Sequence, residues 1–310
     1  MPRYNRVVLK LSGEALAGEA GSGADPASLS RVADEILSVR ELGVQVAVVV
    51  GGGNFFRGRM AEGWGISRAE ADNIGMLGTI MNCLMLRGAL TARTDIDIRV
   101  MTAVPIQSVA EPFIRLRALR HLEHGSIVLL AGGIGQPYVT TDYPAVQRAL
   151  ELDADALLVA KKGVDGVYDS DPRLNPHAVR YEQLTYDEAL AAGVRVMDTS
   201  AFVLANEQSL TMHVFDVAAG GAMRQICEGA DLGTLIRAKT QPGSDQTCLA
   251  PFRRLRGLKE CGTCRCGLTQ RRTGEAHASL PDPSARRLAR ACCRHHDRAP
   301  GDRSNRLRWW

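Results

Sequence analysis

Apolar residues in this chain come in two rhythms, and the rhythms alternate. Short, mostly apolar runs at Arg6–Leu11 (RVVLKL), residues 44–50 (interrupted only by Gln45) and residues 126–130 have the length and branching of strands buried on both faces. After the first of them, Leu29, Val32, Ala33, Ile36, Leu37 and Val39 recur at helical spacing. That helix is opened by Asp25-Pro26 as cap and first-turn proline, and it closes before Gly43. An apolar helix is predicted over residues 74–90, with further helices over 113–124, 142–152 and 186–192. Further strands are predicted over 96–104, 156–160, 211–217 and 233–236. This alternation predicts an α/β fold, a three-layer αβα sandwich around a mostly parallel central sheet.

The pattern stops after Arg237. Residues 238–310 hold 16 Lys and Arg against 6 Asp and Glu, leaving 22 against 28 for residues 1–237. The formal charge of +4 therefore conceals an acidic body with a strongly basic appendage. Residues 1–237 are read as one domain and residues 238–310 as a basic, Cys- and Arg-rich tail with too little apolar surface to order itself. The tail carries Cys261-x-x-Cys264-x-Cys266 and Cys292-Cys293-x-His295-His296. Adjacent Cys and His pairs make awkward tetrahedral ligands, so no metal site is assigned there. A nucleic-acid-binding arm is the weaker reading of its charge. The stronger one is a shifted or extended reading frame unrelated to the body. Two isolated body cysteines, Cys83 and Cys227, give no disulfide framework. The longest apolar runs, residues 46–50 and 127–131, are far below membrane-span length. With no secretory leader recognised at the start, a cytoplasmic address with no membrane association is expected.

In sheets of this class ligands gather at the carboxyl ends of the strands, and four of the turns there stand out. Lys10-Leu11-Ser12-Gly13 sets an ammonium beside a free backbone amide, although a strand-terminal lysine also fits a merely solvated end. Gly51-Gly52-Gly53-Asn54-Phe55-Phe56-Arg57 lets amides approach an anion and adds a forked phosphate donor; a tight turn is its bland reading. In Gly132-Gly133-Ile134-Gly135-Gln136-Pro137-Tyr138-Val139-Thr140-Thr141-Asp142, a glycine-rich loop ends on two hydroxyls and a carboxylate that equally fit a helix cap. Lys161-Lys162-Gly163-Val164-Asp165-Gly166-Val167-Tyr168-Asp169-Ser170-Asp171-Pro172 suits a base, ribose and polyphosphate, or an ordinary polar turn. Together they describe two phosphorylated groups held face to face.

The segments VVLKLSGEAL, VVVGGGNFFRG, ADNIGMLGTIMN, GQPYVTTD, VDGVYDSDP and RVMDTSAF, in this order and spacing, resemble the bacterial uridylate kinases of the amino-acid-kinase superfamily over residues 5–237. The resemblance implies transfer of the γ-phosphate of ATP to UMP, giving UDP and ADP, with Mg2+ accompanying ATP. It implies that Lys10, Leu11, Ser12, Gly13, Gly53 and Arg57 contact ATP phosphates, and that Lys162, Tyr168 and Asp171 form the base and ribose site. Gly52 and Asp72 would hold UMP, Asp72 through the ribose hydroxyls, and Ile134, Gly135, Gln136, Pro137, Tyr138, Val139, Thr140 and Thr141 would wrap it. Lys10, Asp142 and Asp198 are the implied catalytic residues. A homohexamer, GTP activation involving residues 18–23, and UTP inhibition are also implied. The chain departs from the family at Ile134, Gln136, Tyr138 and Val139, at Tyr143-Pro144, and at Ser22 where an aromatic is common. Two other readings of the fold are a kinase for a small carboxylate or carbamate, and a non-catalytic nucleotide- or oxoanion-binding storage or regulatory protein.

Overall fold

The computed structural model describes residues 1–239 apart from Arg173 and Arg195, all within one compact unit. Readings that concern residues 240–310, the tail and its Cys and His groups, lie outside the described residues. The first half runs β1 (Arg6–Leu11), α1 (Pro26–Glu41), β2 (Gln45–Val50), α2 (Gly58–Trp64), α3 (Arg68–Thr91), β3 (Ile98–Thr102), β4 (Glu111–Pro112), α4 (Arg115–Glu123) and β5 (Ile127–Ala131). The second runs α5 (Asp142–Glu151), β6 (Ala156–Lys161), β7 (Val167–Tyr168), β8 (Arg180–Tyr181), β9 (Gln183–Thr185), α6 (Tyr186–Ala191), α7 (Thr199–Glu207), β10 (Thr211–Asp216), α8 (Ala222–Glu228) and β11 (Thr234–Arg237).

Nine strands form one sheet in the order β4-β3-β5-β2-β1-β6-β10-β11-β9. Every pairing in it is parallel except β10 with β11. Successive strand residues face opposite ways, which splits the core in two. Val7, Leu9 and Leu11 of β1 meet Val32 and Ile36 of α1, Leu86 of α3 and Ile226 of α8 on one face. Val8 of β1 meets Leu122 of α4, Val146 of α5 and Phe202 of α7 on the other. The expected three-layer architecture is present. The chain crosses from one side of β1 to the other between β5 and β6, so the turns at the carboxyl ends of β1, β2 and β6 diverge and leave a crevice.

Local signals explain where elements begin. Asp25 caps α1 by accepting the Ser28 amide at 2.8 Å, with Pro26 in the first turn. α3 begins six residues before the apolar pattern that predicted it. Ser67 caps it, and Arg68, Ala69, Glu70 and Ala71 are good helix formers that carry no large apolar side chain to show the period. That early start places Asp72 on the helix. Among the described residues α3 is the one helix long and apolar enough to cross a membrane by length and composition. In the fold it packs along α1, β2, β3 and β5, with Ile80, Cys83, Leu86 and Leu90 in the core. Helices α2, α7 and α8 and the β7–β8 pair were not expected. Each is short, and α8 is bracketed by Gly221 and Gly229 in left-handed conformations that read in sequence as loop.

Candidate active site

The strand pattern that buries Val8 on the α5 side carries Lys10, two residues on, to the same side at the end of β1. Its ammonium is buried and lies 2.6 Å from an Asp142 carboxylate oxygen. Asp142 opens α5, yet its side chain does not cap that helix; Thr141 holds the cap position without a side-chain bond. The carboxylate is committed to Lys10 instead, and its other oxygen accepts the Asp198 amide at 3.3 Å. Asp198 in turn accepts the Thr140 hydroxyl. Lys10, Asp142, Asp198 and Thr140 thus form one hydrogen-bonded chain across three elements.

Lys161 joins this cluster; it opens the fourth candidate turn but was not among the site residues that the resemblance implied. It ends β6, the parallel neighbour of β1. Leu157 and Val159 face the α5 side, and Val159 pairs with Lys10, so counting by two along β6 puts Lys161 on the face of Lys10 one step further on; that periodicity was the available signal. Burial pushes its ammonium down to about 8, with the charge of Lys10 acting in the same direction and Asp142, Asp198 and Glu14 opposing it.

Next to the cluster lies a cleft of about 610 Å³. Gly52, Gly53 and Arg57 from the β2 turn and Asp72 and Thr79 from α3 form one wall. Ile134, Gln136, Val139, Thr140 and Thr141 form the other. The β2 turn touches α3 so closely that a Cβ on Gly52 would lie 2.3 Å from the Gly75 carbonyl oxygen. Asp72 receives the Arg68 guanidinium Nε at 3.0 Å on both oxygens and the Tyr138 amide at 2.7 Å. Tyr138 adopts a left-handed φ of 68°, and the Arg68 guanidinium lies 5.9 Å from its ring centroid. Gly132 donates its amide to the Thr79 hydroxyl at 2.7 Å, anchoring the opposite wall to α3.

The other expected residues fall at defined distances from this core. Gly135, Pro137 and Tyr138 belong to the loop that forms the second wall but do not line the cleft. Leu11 is fully buried, backbone included, and its carbonyl accepts the Gly51 amide at 2.9 Å, while Ser12 precedes a short helical turn over Gly13–Ala15. Arg57 is paired to Glu14 at 2.6 Å. Lys162 donates to the Gly18 carbonyl, and Tyr168 donates its hydroxyl to Asp165 at 2.6 Å. Lys162, Tyr168 and Asp171 lie outside the cleft.

Residues 5–216 match the model of the amino acid kinase family. The uridylate kinase of Frankia alni is 60% identical over 236 residues, which span 76% of this chain and 92% of that protein. That of Pediococcus pentosaceus is 44% identical over 237 residues, 76% and 98% of the two chains. The crystal structure of UMP kinase from Bacillus anthracis superposes with a TM-score of 0.75 at 54% identity, covering 76% of this chain and 97% of that one. UMP kinase from Ureaplasma parvum gives 0.72 at 33% identity, covering 76% and 99%. With the strand order, the lysine–aspartate cluster and the glycine-walled cleft all in place, this chain belongs to the amino acid kinase family and, within it, to the uridylate kinases.

Proposed function

We propose that the chain transfers the γ-phosphate of ATP to UMP, releasing UDP and ADP, with UMP in the cleft and ATP over the ends of β1 and β6. One observation carries this assignment. Thr140 lines the cleft and also bonds to Asp198, so the acceptor site and the lysine–aspartate cluster share an edge. A phosphate seated at that edge meets the cluster directly.

Phosphoryl transfer needs alignment and charge neutralisation rather than a covalent partner. The UMP phosphate already carries an anionic oxygen, so no general base is assigned and transfer is direct. Asp142 holds the Lys10 ammonium toward the crevice, Lys161 supplies a second cation from the neighbouring strand, and the Gly13 and Gly53 amides face the phosphates. Asp72 holds the ribose, while Lys162, Tyr168 and Asp171 hold the ATP base and sugar. Among the described residues no group of three or more His, Cys, Asp or Glu is placed to hold a metal by itself. The hard oxygens of Asp142 and Asp198 fit a Mg2+ carried chiefly by the ATP phosphates, where it would neutralise their charge.

Residues 1–237 constitute the kinase unit, and a cytoplasmic setting fits its chemistry. The half-exposed row Ile74, Leu77 and Met81 on α3 supports self-association, in keeping with a hexamer. GTP activation and UTP inhibition belong to the same reading. The segment at residues 18–23 is tied to the site through Lys162 and Asn54. A coupled assay of ADP release with UMP, CMP and carbamate offered separately tests the substrate. Release with UMP, with UDP as product, is expected. Turnover of carbamate alone overturns the reading in favour of a small-molecule kinase, and binding of nucleotides without turnover overturns it in favour of a storage or regulatory protein.

A further inference from the structure

Two buried asparagines form a clasp behind the site. Asn82 is fully buried on α3 and Asn54 is 3% exposed in the β2 turn. Asn54 Nδ2 donates to Asn82 Oδ1 at 3.0 Å, and Asn82 Nδ2 donates back to Asn54 Oδ1 at 2.7 Å. The remaining hydrogens are also used: Asn54 Nδ2 donates to the Gly23 carbonyl at 2.6 Å and Asn82 Nδ2 to the Gly51 carbonyl at 2.7 Å. These two carbonyls fix which end of each amide is nitrogen, because a flipped amide would set oxygen against oxygen. The Lys10–Gly13 turn rests on the clasp as well, for a Cβ on Gly13 would lie 2.2 Å from Asn54 Oδ1 and 2.8 Å from the Gly51 carbonyl oxygen.

The clasp therefore joins the parts that must be mutually aligned. The turns after β1 and β2 carry the amides that face the donor phosphates. α3 carries Asp72, Thr79 and Asn82 seven and ten residues apart along its length, a spacing that keeps all three on one side of the helix. Thr79 anchors the acceptor loop through Gly132. A core of aliphatic residues would hold α3 against the sheet but would not set its height relative to the two turns; directional amide bonds do.

We propose that Asn82 and Asn54 are positioning residues for phosphoryl transfer, fixing the donor-phosphate turns in register with the acceptor helix. This rests on the kinase reading above. The perturbation is Asn82→Leu, close in shape but unable to bond, compared with Leu86→Ala, a core truncation one turn further along α3. With UMP and ATP saturating, Asn82→Leu lowers kcat on the order of 10²-fold and changes KM for UMP by less than about threefold, as expected when alignment and not ground-state binding is lost. Leu86→Ala lowers the urea midpoint while kcat stays within about threefold of the parent. A second variant, Asn82→Asp, keeps the shape and faces the Gly51 carbonyl and Asn54 Oδ1 with oxygen. Its buried carboxyl has a raised pKa, so its kcat relative to the parent recovers in part as pH is lowered and a proton replaces one of the two lost donors. If Asn82→Leu and Leu86→Ala lose kcat equally, or if Asn82→Asp retains parental kcat and pH profile, the clasp is only structural. A parent enzyme that does not turn over UMP would instead overturn the kinase reading, so the two failures are separable.

Discussion

Lys161 is where pH reaches this site. Its ammonium sits near the ends of β1 and β6 with a pKa of about 8, pulled down first by burial and then by the nearby charge of Lys10. If that charge helps neutralise the transferred phosphoryl group, kcat/KM for ATP declines above about pH 8 with unit slope. One pH unit higher, roughly a tenth of the free enzyme remains charged, from the titration of a single group. Bound triphosphate places anions beside the ammonium and raises its pKa, so the corresponding limb of kcat lies at higher pH than that of kcat/KM. Lys161→Arg keeps the charge throughout and flattens the limb. Lys161→Met removes the limb and lowers kcat on the order of 10²-fold, the scale of one preorganised charge contact. The measurement is steady-state ADP release from about pH 7 to about pH 10 at constant ionic strength, with coupling enzymes in excess. Stability gives a second readout. The folded state binds this proton more weakly than the unfolded chain, whose lysine titrates at 10.5, so this group makes stability rise with pH between about 8 and 10.5. Lys161→Met should lack that rise in urea unfolding. A Lys161→Met enzyme that keeps the parental alkaline limb would refute the assignment.

Lys10→Met removes a buried cation and leaves Asp142 without its nearest partner; turnover should fall by on the order of 10²-fold or more, and near-normal turnover in the same assay would show that Lys10 is not used. Gly233→Ala brings a Cβ to 2.1 Å from the Val214 carbonyl oxygen at a φ of 77°. Urea unfolding should show a loss of at least about 3 kcal/mol. Gly43→Ala, at a φ of 83° with open space around it, should lose only about 1–2 kcal/mol, the cost of left-handed backbone alone. Equal losses in the two would mean that steric contact at Gly233 contributes nothing. Deleting residues 240–310 should leave the body folded and its turnover of UMP unchanged. Loss of circular dichroism and activity together would show that the kinase unit extends beyond residue 237.

Much of the frame was legible because strands buried on both faces leave dense apolar runs: RVVLKL, broken only by Lys10 after its opening arginine, is β1 residue for residue. Helix boundaries were legible where a cap names itself, as at Asp25-Pro26, and not where a helix opens on polar residues, as α3 does at Arg68. The site was legible as a set of turns but not as a set of bonds. Thr141-Asp142 reads equally as a cap or as chemistry until Lys10, far away in sequence, is seen to take the carboxylate. Asn54 reads as the end of a glycine turn and Asn82 as a polar interruption of an apolar helix. Neither local pattern announces the other, because their pairing depends on how closely Gly52 lets α3 approach.

Asp72 comes to the cleft already satisfied, with an arginine on both oxygens and a backbone amide beside them. If Asp72 holds the ribose as proposed, a sugar hydroxyl arriving there competes with the Arg68 guanidinium instead of meeting a bare carboxylate, so the bond it makes adds little to affinity. The effect on selectivity is larger. On that proposed reading, a 2′-deoxy sugar keeps its 3′-hydroxyl but brings one donor fewer to the exchange with Arg68, so this carboxylate serves better to discriminate between pentoses than to hold the right one tightly.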